Sequence, residues 1–248
     1  MFLKELLERI FILHKCGACR DILNYEDRND ALCPKCALRY RKAKTVSCPT
    51  CGQSAVDCLC MPKPLVKRGA LCLRKLYFYR ADEERAAQNR MLYFIKVYPH
   101  KRVAQFVARE LYGVLRSELA VLSATAENTV IVSVPRSGVA RRLYGFDQAA
   151  FIGERLSEVS GIPYVGTIRR RFGGRAQKKL GKGKRFKNAN GHFKINDPTD
   201  VSGKLVVLFD DVVTTGASMS ACIEILKKAG ASGIICLCMA QAHKNSVK

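Results

Sequence analysis

Tryptophan is absent from this 248-residue chain, and acids are scarce, with 21 Asp and Glu against 43 Lys and Arg. Without the broadest stacking ring, Tyr77, Phe78, Tyr79, Tyr93, Phe94 and Tyr98 are assigned to the core before a nucleic-acid platform. The formal net charge of +22 disfavours a cationic partner and favours an anionic one, either a nucleic acid or a polyphosphate. No apolar run reaches the roughly 18 residues that a membrane-spanning helix needs. Residues 1–13 mix acids and bases into their apolar positions. They lack the continuous apolar core and small-residue cleavage site of a secretory leader, and read as an amphipathic helix packed on the next module. A cytoplasmic location is the expectation.

Cysteine, by contrast, is abundant at twelve residues. In a chain without a secretion signal this argues against disulfides. Eight of the twelve fall in short spacings: Cys16-x2-Cys19, Cys33-x2-Cys36, Cys48-x2-Cys51 and Cys58-x-Cys60. Short pairs on tight turns each deliver two thiolates to a tetrahedral zinc ion. The simple grouping puts one zinc on Cys16, Cys19, Cys33 and Cys36 and a second on Cys48, Cys51, Cys58 and Cys60. A crossed pairing, and one zinc rather than two, stay open on spacing alone. Four thiolates close the coordination sphere, so such a metal is structural. A segment this short and polar needs a staple to fold. Cys72, Cys222, Cys236 and Cys238 show no such spacing and are expected in the core.

Pro62 and Pro64, two prolines in three residues, oppose both helix and central strand and mark a boundary. Residues 1–62 are expected to form the zinc-ribbon module and 63–248 an α/β domain. Strands are expected at 71–79, 130–134, 164–168, 205–209 and 234–239. Helices are expected at 83–97, 102–119, 146–159 and after Gly216. Strands alternating with helices predict a parallel sheet covered on both faces, with ligands beyond the carboxyl ends of the strands.

The richest stretch is 206–218, VVLFDDVVTTGAS. An apolar strand leads into Asp210 and Asp211, then into a turn of Thr214, Thr215, Gly216, Ala217 and Ser218, and then a helix. Glycine allows close backbone approach, the hydroxyls donate, and the helix start adds free N–H groups and a positive dipole end. Such a loop suits a phosphate, and the acid pair suits a sugar diol or a hydrated magnesium ion. A second loop, 135–148, carries Arg136, Ser137, Arg141 and Arg142 after a strand and can present donors to a diphosphate. A third segment, 169–187, holds ten Lys or Arg and no acid. It is too polar to pack and can neutralise a polyphosphate or a nucleic-acid backbone.

The 206–218 stretch resembles the phosphoribosyl-diphosphate (PRPP) signature of type I phosphoribosyltransferases. Together with the paired cysteines, the loop ending in Gly145, Phe146, Asp147 and Gln148, and Gln177, Leu180, Arg185, Asn188 and Phe193, the chain resembles the ComF family. Positions 140 and 144 hold Ala and Tyr where that family has Arg, and Asp147 stands for its Asn. Arg141 and Arg142 are the neighbours that can compensate. The resemblance implies a type I phosphoribosyltransferase fold behind an N-terminal zinc ribbon, with structural zinc and with magnesium accompanying PRPP. It implies Thr214, Thr215, Gly216, Ala217 and Ser218 on the 5-phosphate, Asp210 and Asp211 on the ribose hydroxyls, and Arg136 and Ser137 near the diphosphate. It also implies links to competence and DNA uptake, with single-stranded nucleic acid and a competence helicase or other DNA-processing protein as partners. A non-catalytic protein that binds single strands, or a regulator on the same fold, is the alternative.

Overall fold

The computed structural model describes residues 14–79, 86–170 and 193–242. The expected helix at 1–13 and the basic segment, save residues 169 and 170, lie outside the described residues. Among the described residues no helix is long and apolar enough to cross a membrane.

Among the described residues the N-terminal part forms α1 (Pro34–Lys44). A short helix, α2 (Lys63–Lys67), then leads into β1 (Cys72–Tyr79). Next come α3 (Ala87–Val97), α4 (Lys101–Val121) and β2 (Thr129–Ser133). They are followed by α5 (Gly138–Tyr144), α6 (Gln148–Ser160) and a small hairpin of β3 (Ile168–Arg170) and β4 (Phe193–Ile195). The chain continues through β5 (Leu205–Val213), α7 (Ala217–Lys228) and β6 (Gly233–Ala242).

The main sheet has the order β1-β6-β5-β2, and every pairing in it is parallel. The strands are nearly continuous apolar runs because helices cover both faces. On one face Val207, Phe209, Ile235 and Leu237 share a core with Leu92, Val107, Leu111, Leu115, Ile152 and Leu156 from α3, α4 and α6. On the other, Val206, Leu208, Val132 and Cys236 pack with Cys222, Ile223 and Leu226 of α7. Helix α4 earns its place by spacing: Val103, Val107, Leu111, Val114 and Leu119 are buried three to five residues apart.

The cysteine-rich part joins the first of these cores. Cys16, Leu23, Leu32, Cys36 and Tyr40 are buried with the α3 and α4 side chains. Tyr40 meets Tyr77 and Phe106 edge-on at 6.2 and 5.4 Å. Arg102 on α4 donates to the carbonyls of Lys15 and Arg28 and to His14 Nδ1.

Three local expectations change. The strand expected at 164–168 is a single parallel bridge, Tyr164 with Ile131. Pro163 has no donor and Gly166 no side chain to pack, so pairing stops and resumes at β3 in a separate hairpin. The prolines at 62 and 64 start a helix instead of excluding one, with Pro62 as N-cap and Pro64 in the first turn, where proline is favoured. The strand expected to end at Phe209 runs on to Val213, because the backbone ladder to Cys238, Ala240 and Gln241 does not depend on the charge of Asp210 and Asp211.

Candidate functional site

Both acids sit at the carboxyl end of β5, the position at which parallel sheets meet ligands. Although they are neighbours on one strand, their carboxyls stay within hydrogen-bond reach of each other. Asp210 lies by Cys222 and Cys238, and Asp211 by Tyr77 and Lys96. Each caps the next residue: Asp210 Oδ1 accepts from Asp211 N at 2.9 Å, and Asp211 Oδ1 from Val212 N at 2.7 Å. Burial first, and then the Asp211 charge, hold the Asp210 carboxyl well above the usual carboxylate range. A cation brought to this pair relieves both effects, and two carboxylate oxygens are the donor set of a hard, hydrated ion such as magnesium.

The loop that follows exposes Thr214 and Thr215 and buries Gly216. Gly216 is the N-cap of α7 at φ +74°, the left-handed region that favours glycine; it has no side chain to cap the helix, and Thr215 Oγ1 accepts from Ala217 N at 3.4 Å. It also faces α2. A Cβ at this position would lie 3.2 Å from Leu65 Cγ and 3.3 Å from Pro62 Cβ. Ser220 Oγ donates to the Pro64 carbonyl at 3.3 Å. The turn is therefore open on its hydroxyl side and tightly backed on the other.

The 135–148 loop is ordered around Asp147. Its Oδ1 accepts from Ala149 N and Ala150 N and so caps α6, and its Oδ2 accepts from Arg136 N at 2.9 Å. Three amide donors suit a carboxylate, which accepts on both oxygens. The Arg136 guanidinium lies 4.3 Å from the centre of the Tyr144 ring and donates to the Lys96 carbonyl at 3.1 Å. Ser137 Oγ accepts from Ala140 N as N-cap of α5. Arg141 and Arg142 lie exposed in the last turn of α5, a helix that buries none of its residues.

One residue of this cluster escaped the sequence. Lys96, at the end of α3, places Nζ 3.5 Å from Asp211 Oδ2 while its carbonyl holds Arg136. Among 43 Lys and Arg nothing in the sequence sets it apart. Only the fold brings it to the acids.

The cysteines fall into two groups, Cys16, Cys19, Cys33 and Cys36, and Cys48, Cys51, Cys58 and Cys60. Within each group the sulfurs lie within 4.8 Å of one another, so each can hold a metal ion. The geometry selects the uncrossed pairing. The first pair of each group makes the same small hairpin. Cys16 N donates to Asp21 O, and Cys48 N to Gln53 O; Arg20 N and Gly52 N return to the carbonyls of Cys16 and Cys48. Lys15 bridges Ile22, as Ser47 bridges Ser54. Ala18 N and Thr50 N point at the Sγ atoms of Cys16 and Cys48, both at 3.4 Å. Burial opposes thiolate at both cysteines. Amide donors from Cys33, Ala18 and Cys19 nevertheless bring Cys16 down to about 7, and those from Thr50 and Cys51 bring Cys48 down to about 6. Donors aimed at sulfur and four convergent thiols are the chemistry of a closed zinc site, and the residues fit one.

The model of the phosphoribosyl transferase domain family matches residues 97–248, more than half of the chain. An orotate phosphoribosyltransferase of Sulfurisphaera tokodaii is 35% identical over 88 residues, which are 36% of this chain and 43% of that protein. The match thus spans less than half the length of this relative. A solved structure of an allosteric regulatory enzyme of purine biosynthesis aligns with a TM-score of 0.35 at 23% identity, over 55% of this chain and 26% of the other.

Proposed function

We propose that this chain, which belongs to the phosphoribosyl transferase domain family, binds PRPP with magnesium at the carboxyl end of β5 and transfers its phosphoribosyl group. The observation that carries this reading is the Asp210–Asp211 pair at the end of β5, followed within five residues by Gly216, at φ +74°, and the start of α7. In this reading Thr214, Thr215, Gly216, Ala217 and Ser218 hold the 5-phosphate with hydroxyls and helix N–H groups. Asp210 and Asp211 hold the ribose hydroxyls and magnesium-bound water. Bound magnesium would neutralise the diphosphate as it leaves C1. Arg136 approaches that diphosphate from the Tyr144 ring and is joined by Lys96 once Asp211 has another partner. Arg141 and Arg142 stand further out, at the exposed rim. The bond from C1 to diphosphate breaks as an acceptor nitrogen bonds to C1, and positioning and charge stabilisation supply the rate.

The eight cysteines hold structural zinc in this reading, and the division into residues 1–62 and 63–248 follows the resemblance to ComF proteins. That resemblance extends the proposal to competence and to incoming single-stranded DNA, with a DNA-processing protein as partner and a cytoplasmic location. A second reading, a single-strand binder without turnover, is favoured by exposed Tyr93 and Tyr98 beside Phe94, over whose ring Arg20 stands at 4.0 Å. Titration calorimetry with PRPP and magnesium tests the first reading. Heat from the wild type that disappears in Asp210→Ala/Asp211→Ala supports it, and no heat from the wild type sinks it. Diphosphate release across a panel of nucleobase acceptors, orotate included, separates turnover from binding alone.

A further inference from the structure

Lys75 on β1 is fully buried, at 0% exposure. Lysine is almost never placed there without an opposite charge. Among the described residues no carboxylate forms an ion pair with it. Its Nζ donates instead to the carbonyls of Cys58 at 2.6 Å and Cys60 at 3.3 Å, the last two cysteines of the second group. A carbonyl solvates an ammonium but does not neutralise it. Four thiolates around a divalent ion carry a net charge of −2, and that site lies one backbone turn from Nζ.

The same lysine shares a row of the sheet with one of the acids. Lys75 is in register with Cys238 on β6, and Cys238 with Asp210 on β5. One row of the sheet thus runs from the second cysteine group to the acid pair. A second connection leaves the same group through the chain. Directly after Cys60 come Pro62 and Leu65, the two residues against which Gly216 is seated, and Ser220 of α7 donates to Pro64 O between them.

We propose that Lys75 is the counter-charge and positioning residue of the second cysteine site. Through Lys75 and α2, metal at Cys48, Cys51, Cys58 and Cys60 holds Asp210 and the Thr214–Ser218 turn in their ligand-binding arrangement. The first group is buried with α3 and α4 and, among the described residues, shows neither connection. The role of Lys75 towards the metal is independent of the ligand, whereas the coupling to the turn rests on the PRPP reading above.

The test uses the full chain loaded with zinc. Zinc release to a chromogenic chelator is followed in the wild type, Lys75→Met and Lys75→Arg. Lys75→Met should weaken one of the two zinc ions by about 10–100-fold, the size of effect usual for partners of metal ligands. The other zinc should be unmoved, and Lys75→Arg should recover most of the loss. Two zinc ions leaving Lys75→Met at wild-type rates would overturn the assignment. Should Lys75→Met fail to fold, Lys75→Gln, which keeps a donor and loses the charge, takes its place in the zinc measurement, and the wild type alone decides the coupling. Binding linkage is reciprocal, so PRPP with magnesium must raise the equilibrium affinity of one zinc, read by competition with the chelator, by the factor by which that zinc tightens PRPP. Equal zinc affinity with and without bound PRPP overturns the coupling. A wild type that binds no PRPP at all refutes the functional reading, and the lysine variants still decide the metal role.

Discussion

Asp210 carries a cost that a ligand can remove. Its folded pKa lies above the unfolded value because burial and Asp211 both oppose its charge. An acid raised in this way is destabilising when ionised. The penalty is absent below the unfolded pKa and grows as pH rises through the folded one. Asp210→Asn should therefore raise the melting temperature of the ligand-free protein at pH 7.5, with a gain that shrinks towards pH 4.5, and should abolish PRPP binding. A melting temperature that falls at pH 7.5 would contradict this account. Stability given up at a binding carboxylate is a common trade. At this scale the sequence showed the two acids and the hydroxyls, because their order along the chain is itself the signal. It did not show Lys96 or Lys75, whose meaning depends on neighbours 115 and 17 residues away, Asp211 and Cys58.

Turns and caps set the geometry of the elements, and two glycines separate backbone strain from crowding. Gly52 and Gly216 share a φ of +74°, but an added Cβ meets nothing within 4 Å at Gly52 and meets Leu65 and Pro62 at Gly216. Gly52→Ala should cost about 1–2 kcal/mol of backbone strain alone. Gly216→Ala should cost more and also weaken PRPP binding, as read by denaturant unfolding and calorimetry on both variants. Arg20 already holds the corresponding place of the first hairpin at φ +71°, where its guanidinium stands over Phe94 at 4.0 Å. Asp147→Ala removes the α6 cap and the acceptor of Arg136 N, and should destabilise by about 1–2 kcal/mol in denaturant unfolding. Asp147→Asn keeps one acceptor oxygen and should cost less. Helix positions were legible because apolar spacing and Gly161 mark them. Helix α5 was not, since a seven-residue helix that buries nothing leaves no pattern.

For the molecule as a whole, the cysteine-rich part and the sheet share a core. Cys16, Cys36 and Tyr40 are buried with Tyr77, Val103 and Val107. Structural zinc contributes about 10–16 kcal/mol in isolated zinc-finger peptides. That is comparable to the whole stability of a typical domain, about 5–15 kcal/mol. Stripping both metals should therefore lower the melting temperature of the entire chain in one transition. Near- and far-ultraviolet circular dichroism should coincide, and two separated transitions would argue for independent bodies. A fragment of residues 63–248 should melt lower than the full chain, because it bares Tyr77, Val103 and Val107.

By itself the sequence determined the α/β class, the eight paired cysteines and the acid-hydroxyl-glycine turn. Hydrophobic period and short-range spacing are local properties, and a linear chain displays them fully. Only the tertiary structure decided that the cysteine pairs group without crossing and that Lys96 reaches Asp211. It alone placed α2, which follows the second group, behind Gly216. Those facts depend on strand register and on contacts between distant segments, and register is fixed when cores close, not by any short stretch of residues.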